Sequence, residues 1–282
     1  MACTPKISSK KNQGPSQCTT SVAQVPGIAW NCLPSADDIF GDDPNTVYVR
    51  MNVSSENKKG FDMISLQTVV EIKFSNVDKM PWLSWDTPAW ECKTGSKLVD
   101  VKGSVCSDCY ACGGRYIFGV VKNANEARFE QLADLESWKT AFINQLGNKY
   151  KNMRNKNNAY FRWHSSGDVQ SVEHLKAINE IALALPDVKF WLPTKEIGMV
   201  KEYLESDVFA DNLCVRISMF MVNQIPSKAM GLPTSTVIES ENDFVPEHGN
   251  ICHATTENSD HKCGDCRNCW DKSKSNVAYL KH

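Results

Sequence analysis

Two closely spaced cysteine triplets constrain this chain more than any other feature of its sequence. The first occupies Cys106–Cys112, with the sequence CSDCYAC, and the second occupies Cys263–Cys269, with the sequence CGDCRNC. CxxCxxC spacing lets a tight turn direct several sulfur atoms at one centre, which suits an iron–sulfur cluster or a tetrahedral zinc ion. Gly113 and Gly114 follow the first triplet and would let the backbone wrap closely around that centre. The pattern therefore predicts two metal sites.

Each triplet has a further cysteine upstream that is a candidate fourth ligand. The first predicted site comprises Cys92, Cys106, Cys109 and Cys112, and the second comprises Cys252, Cys263, Cys266 and Cys269. In the second site, His253 or His261 is an alternative to one of the thiols. Spacing of this kind is closer to that of ferredoxins than to that of zinc fingers, which favours iron–sulfur over zinc. Zinc stays the alternative metal at both sites.

The cysteine content also bears on the cellular compartment. The chain has 12 cysteines, and its first residues are polar and resemble neither a secretory signal nor a membrane span. Clustered cysteines in a reducing compartment are more often metal ligands than disulfides. We therefore expect a cytoplasmic protein with no membrane partner. The formal net charge of -2 gives no footprint for non-specific binding of nucleic acid.

Hydrophobic periodicity predicts an α/β protein. Strands are predicted at residues 46–52, 66–74, 159–164, 188–192, 213–219 and 236–238, and helices at 118–145, 171–185 and 197–204. Alternating strands and helices imply right-handed βαβ units and a parallel sheet, either open or curled into a partial (β/α) barrel. We expect this domain to span residues 46–245. It would follow an irregular segment, 1–45, and precede a cysteine-rich metal-binding segment, 246–282.

Polar residues follow three of the predicted strands, where chemistry is usually located in parallel sheets. These positions make His164, Asp168 and Lys195 candidate catalytic residues, and Ser166, Gly167, Asp168 and Arg216 candidate cofactor-binding residues. Each has an alternative interpretation. The alternative for His164 is a hydrogen-bonded core residue, for Asp168 a cap of the next helix, and for Lys195 an exposed lysine at the start of a helix.

The order of motifs resembles that of a known family. CYAxxGxY begins at Cys109, a strand with RxHSSGD begins at Arg162, FWxxTK begins at Phe190, and a terminal CxxCxxCW ends at Trp270. From about Cys92 to Asp271, the chain resembles the uncharacterised phage proteins of the "gene product eighty-eight" type. That family in turn resembles the radical-SAM barrels, which carry a three-cysteine loop after their first strand.

This resemblance implies an iron–sulfur protein, with a 4Fe-4S cluster, S-adenosylmethionine as cofactor, and an electron donor as partner. It also implies a phage origin, a cytoplasmic location in the host cell, and a nucleotide or nucleic-acid-related substrate. The triplet departs from the radical-SAM pattern, CxxxCxxC. If only three thiols bind, one iron stays open for S-adenosylmethionine, whereas a fourth ligand such as Cys92 would close the site. The other function class is a non-catalytic binding protein stabilised by zinc or by a cluster.

Overall fold

The computed structural model describes residues 70–80, 82–151, 159–227 and 229–281. The strands of this part of the chain are β1 Ser75–Asn76, β2 Leu83–Trp85, β3 Tyr160–Trp163, β4 Lys189–Thr194, β5 Leu213–Val222, β6 Thr234–Ile238, β7 Asn250–Ile251 and β8 Asn276–Leu280. Its α-helices are α1 Gly95–Leu98, α2 Gly119–Gln131, α3 Leu135–Lys151, α4 Val172–Ala184 and α5 Ile197–Leu204. Residues 72–281 of this set belong to one compact unit.

The strands form a single sheet in the order β1-β2-β3-β4-β5-β6-β8-β7. β1 pairs antiparallel with β2, and every other pair is parallel. Because β3, β4 and β5 are neighbours in chain order, right-handed crossovers place α4 and α5 on the same face of the sheet. The predicted α/β fold with a mostly parallel sheet is confirmed. The described strands do not show a closed barrel, since β1 and β7 are the two edges.

Large apolar side chains fill the space between the sheet and the helices. Phe161 and Trp163 of β3 point to this face, and Phe142 of α3 stacks on Trp163 with ring centroids 4.7 Å apart. Leu175 and Ile178 of α4 are fully buried. Burying a side chain of this size contributes roughly 1.5–3 kcal/mol. This layer fixes the strands whose carboxyl ends carry the candidate site residues.

The opposite face of the sheet is covered by the C-terminal cysteine-rich segment. Trp270 packs against Tyr160 of β3 and Trp191 of β4, with ring centroids 5.4 and 5.2 Å apart. Its indole N–H donates to the carbonyl oxygen of Phe161 at 2.9 Å. Since side chains alternate between the two faces of a strand, Tyr160 and Phe161 lie against different layers. The segment after residue 245 thus contributes β7, β8 and a covering layer to the same sheet.

Several predicted elements differ from the structure. The helix expected at 118–145 is two helices, because Asp134 Oδ1 accepts a hydrogen bond from the Ser137 N–H at 3.1 Å and starts α3 anew. Residues 70–74 of the strand expected at 66–74 are not in a strand, and the strand expected at 46–52 lies outside the described residues. β2 and β8 were not expected, since one is three residues long within a Pro- and Trp-rich stretch and the other follows the cysteine array. None of the described helices is long and apolar enough to cross a membrane.

Candidate metal and substrate site

The loop that carries the first cysteine triplet lies across the carboxyl ends of four strands. After β3, Tyr110 Oη donates to Ser165 O at 2.5 Å, and after β4, Thr94 N and Oγ1 donate to the Glu196 carboxylate at 2.8 and 2.7 Å. In β5, Phe220 O accepts a hydrogen bond from Val105 N at 2.8 Å. After β8, Lys281 Nζ forms a salt bridge of 3.2 Å with Asp108 Oδ2. In parallel sheets, this edge is where ligands bind. The first cysteine loop and the residues that follow β3 and β4 therefore lie at the same edge of the sheet.

Three thiols of the first array are neighbours. The sulfur atoms of Cys92 and Cys106 lie 3.8 and 3.6 Å from the point that a Cβ on Gly95 would occupy. Burial raises the pKa of the Cys92 thiol well above its ordinary value, and the charges of Asp168 and Cys109 act in the same direction. Burial also raises the pKa of Cys106, which the nearby Lys195 ammonium opposes. Cys92, Cys106 and Cys109 thus share one partly buried neighbourhood with Asp168 and Lys195.

The sulfurs do not converge on a point. Cys112 closes the short 3-10 turn Tyr110–Cys112, where its N–H donates to Cys109 O at 2.9 Å. Across the described ranges, no three Cys, His, Asp or Glu side chains are arranged to hold a metal ion. The four-sulfur tetrahedron that would have closed the first site with Cys92 is therefore not seen in this part of the chain. The donor set itself, soft thiols in a partly buried pocket, fits an iron–sulfur cluster or zinc.

The turn after β3 is held by Asp86, a residue that the sequence analysis missed. Asp86 Oδ1 accepts hydrogen bonds from Ser165 N at 2.6 Å and Ser165 Oγ at 2.5 Å. The adjacent Thr87 N–H donates to Ser166 O at 3.1 Å. The signal available in the sequence was the position of the Asp-Thr pair directly after Trp85, the last residue of β2. Paired with β3, that short strand places its own carboxyl end beside the turn.

Gly167 has a different role from the one expected. It was expected to let the backbone approach a ligand, and its φ of +79° is indeed one that glycine favours. However, a Cβ at this position would lie 1.9 Å from Thr87 Oγ1 and 2.6 Å from Thr87 O. The close approach that Gly167 permits is therefore that of Thr87. Its neighbour Ser166 is 4% exposed, and the Ser166 hydroxyl has no hydrogen-bond partner in the described structure.

Asp168 joins the ends of β3 and β4. Its carboxylate accepts hydrogen bonds from Thr194 Oγ1 at 2.6 Å, Lys195 N at 2.8 Å and its own neighbour Val169 N at 2.8 Å. Burial raises the pKa of Asp168 to about 6, although these hydrogen bonds oppose the shift. Asp168 does not cap the next helix, because Ser171 Oγ accepts the His174 N–H at 3.1 Å as the N-cap of α4. Ser171 is also the first residue of the helix predicted at 171–185.

His164 lies in the helix-side core. It is 3% exposed, and its ring contacts those of Trp85, Trp163 and His174 at centroid distances of 6.1, 6.3 and 5.7 Å. Burial and the charge of Arg162 lower the pKa of His164 to about 3. His164 has the left-handed φ of +53°. Its ring packs between the sheet and the helices, and not at the carboxyl edge where a shared cavity with Lys195 was expected. Its catalytic role stays a prediction without a contact to support it.

Arg216 holds the C-terminal segment to the sheet. The side chain is 0% exposed, and its N–H groups donate to the carbonyl oxygens of Thr234, Lys274, Asn268, Asp271 and Cys269 at 2.8–3.4 Å. A guanidinium has five N–H donors, so these five acceptors engage all of them. In the described structure, Arg216 therefore has no N–H donor left with which to bind a cofactor as predicted.

The cysteines of the second array lie on the face of the sheet opposite the helices. Cys252, Cys263 and Cys269 pack in one apolar cluster with Trp270 and Tyr279. Cys269 Sγ lies 3.2 Å from Tyr279 Oη, and burial raises the pKa of Cys269 to about 12. Burial raises the pKa of Cys263 too, to which the charges of Cys252 and Cys266 add. All four predicted thiols are therefore neighbours, whereas His253 and His261, the alternative ligands, are exposed.

Comparisons with known proteins identify the family but no characterised relative. No curated protein and no solved structure gave a match. The family model described as gene product 88 matches residues 54–272, which is more than half of the chain and includes both cysteine triplets. The resemblance noted in the motifs is thus confirmed at the level of the phage gene-product family. The chain belongs to the gene product 88 family.

Proposed function

We propose that this protein is an iron–sulfur enzyme of radical-SAM-like type, whose reaction takes place where the first cysteine loop crosses the carboxyl edge of the sheet. The observation that carries the proposal is the neighbourhood of Cys92, Cys106 and Cys109 beside Asp168 and Lys195. Titratable groups with perturbed pKa values cluster at functional sites, which supports this location. A nucleotide or nucleic-acid-related molecule is the proposed substrate class.

The chain's own residues supply the ligands and the walls of the site. Cys92, Cys106 and Cys109 would hold the cluster, which when bound would supply one electron to S-adenosylmethionine beside it. Tyr110 and Tyr116 cover the turn after β3, since both hydroxyls donate to Ser165 O, at 2.5 and 3.4 Å. These rings limit the access of water to the edge.

Asp168 and Lys195 would orient the substrate. The Asp168 Oδ2 atom accepts one hydrogen bond, from the Lys195 N–H, so it retains acceptor capacity for an ammonium group. The Lys195 side chain is half-buried, and its charge opposes the rise that burial causes in the pKa of Cys106. It would place a positive charge at the same edge as the thiols.

For the second array, we propose a structural role. Its thiols lie within the apolar cluster that packs on β3 and β4, so a metal bound there would contribute folding energy. A non-catalytic binding protein, with metal at both arrays, is the alternative function. In that alternative, the second array would still hold a structural metal, but the first array would not catalyse a reaction.

The test is reductive cleavage of S-adenosylmethionine. Anaerobically purified, chemically reduced protein should form 5′-deoxyadenosine, and Cys106→Ser should abolish this product. The matched control is Cys214→Ala, because Cys214 is a buried β5 cysteine outside both arrays. Cys112→Ser tests whether the site keeps an open position: retained activity identifies a three-thiol site. A wild-type protein that binds metal but forms no deoxyadenosine would support the binding-protein alternative.

A further inference from the structure

Arg162 lies in a row of side chains that crosses the face of the sheet opposite the helices. Ser84, Arg162, Trp191 and Cys214 lie side by side in register on β2, β3, β4 and β5. The Arg162 guanidinium lies 4.7 Å from the centroid of the Trp191 ring, a distance at which the cation and the ring attract each other. Arg162 thus lies over an aromatic ring on this face of the sheet.

Arg162 has no salt-bridge partner within the described structure. No carboxylate there lies within 4.0 Å of its nitrogen atoms. Burial disfavours its charged form, but Tyr110, Tyr116 and Asp86 outweigh burial and raise the pKa of Arg162. Asp86 itself already accepts hydrogen bonds from Ser165 and Ser84. The Arg162 Nε atom is buried without a partner, and its Nη2 reaches Tyr110 Oη only at 3.5 Å. A bound oxyanion would supply the hydrogen-bond acceptor that the buried Nε atom lacks.

Further donors and charge surround Arg162 on the same face. The indole N–H groups of Trp191 and Trp82 are buried without an acceptor in the described residues. Arg267 adds a second guanidinium, 5.1 Å from the ring centroid of Tyr160 and 6.0 Å from that of Trp82. The face therefore has several donors and positive charge but few acceptors. A group made only of acceptors, such as carboxylate or phosphate, is complementary to it.

We propose that this face binds an oxyanion, the carboxylate or phosphate group of the substrate, with Arg162 as its principal contact. Arg162 also lies near the first cysteine loop, because its Nη2 atom is 3.5 Å from Tyr110 Oη. Guanidinium groups bind both oxyanions in a forked geometry. The inference extends the proposed function by naming the charge of the substrate, but the anion site rests on its own contacts.

The test measures binding of two simple anions, inorganic phosphate and acetate, by the shift in melting temperature and by tryptophan fluorescence. Saturable binding of at least one anion to the wild-type protein is expected, and the preferred anion identifies the chemistry. Arg162→Gln should weaken that binding at least about tenfold. Arg115→Gln is the charge-matched control, because Arg115 is on the surface with a side chain 82% exposed, and it should bind as the wild type does.

A second variant covers the case in which Arg162→Gln fails to fold. Trp191→Phe retains a stacking ring but removes the indole donor, and it should weaken binding several-fold. Equal affinity in wild type and Arg162→Gln, or no saturable binding of either anion to the folded wild-type protein, would overturn the inference. The assay needs no iron. Anaerobically purified protein that binds an anion but contains no iron or sulfide would contradict only the proposed function, whereas cluster-containing protein that binds neither anion would contradict only this inference.

Discussion

The lack of a Cβ at Gly167 allows the turn after β3 to lie against Thr87, which follows β2. The turn after β3 passes so close to Thr87 that a Cβ on Gly167 would overlap both the Thr87 hydroxyl and its carbonyl oxygen. Neither group can move freely, because Thr87 is fully buried and its N–H bonds to Ser166 O. This contact positions Asp168 beside the cysteine loop.

Gly167→Ala should lower the free energy of unfolding by about 3 kcal/mol or more, since it adds both an overlap and a strained φ. Gly198→Ala is the matched control. Gly198 lies within α5, and its Cβ would have no heavy atom within 4 Å, so we expect a change of at most about 1 kcal/mol, in the stabilising direction. Urea denaturation of both variants measures the difference. Equal midpoints for the two variants would contradict this account of the turn.

His164 and His174 form a buried pair whose titration links stability to pH. Burial lowers the pKa of both imidazoles, that of His164 to about 3. An unfolded chain titrates histidine near 6.5, so the folded state binds fewer protons below that pH. Stability from this pair is fully present above about pH 6.5 and is lost as the pH falls toward the folded values.

His174→Gln removes one of these two titrations and keeps an acceptor for the Gln170 N–H, which bonds to His174 Nδ1 at 3.2 Å. Between pH 7.5 and 5, the wild-type protein should therefore lose about 2 kcal/mol more stability than the variant. Denaturation curves over this pH range provide the measurement. Parallel loss of stability in both proteins would contradict the buried, neutral state of His174.

The sequence motifs predict the candidate site residues better than they predict the residues that hydrogen-bond to them. The position of Asp168 at a strand end was legible from the pattern, and so was the N-cap Ser171. Asp86 and Thr87 were not, because their strand, β2, has three residues and pairs only with strands distant in sequence. The packing of His164 under the sheet was also hidden, since it depends on a left-handed backbone conformation at a residue other than glycine.

Among the elements, the C-terminal segment depends most on one side chain. Arg216 of β5 reaches five carbonyl oxygens, four of which belong to residues 268–274. The sequence predicted this strand but not the layer that covers it, because β8 follows a cysteine-rich stretch with no strand periodicity. Long-range hydrogen bonds of this kind have no local signature in the sequence.

Arg216→Met should destabilise the protein by about 3–5 kcal/mol, because it leaves several buried carbonyl oxygens without donors. Residues 266–275 should then become accessible to limited proteolysis before the rest of the chain. Arg115→Met serves as the exposed control and should change stability by no more than about 0.5 kcal/mol. An Arg216→Met protein with unchanged protease resistance would show that the segment is held in another way.

At the scale of the whole molecule, one sheet separates two environments. Its helix-covered face is an aromatic core, and its other face carries Arg162 and the second cysteine array, with the first array at the carboxyl edge. The two triplets were visible in the sequence, but their placement relative to one sheet was not, since it depends on β8 returning beside β6. The family match over residues 54–272 covers both arrays and thus the whole proposed machinery.

The most direct test of the central claim is the iron and acid-labile sulfide content of anaerobically purified protein. The account predicts about four iron and four sulfide per occupied array, a loss of iron in Cys106→Ser, and wild-type content in Cys214→Ala. Cys266→Ser should lose both metal and thermal stability, because metal at the second array contributes to folding. Stoichiometric zinc without sulfide in the wild-type protein would contradict the iron–sulfur assignment.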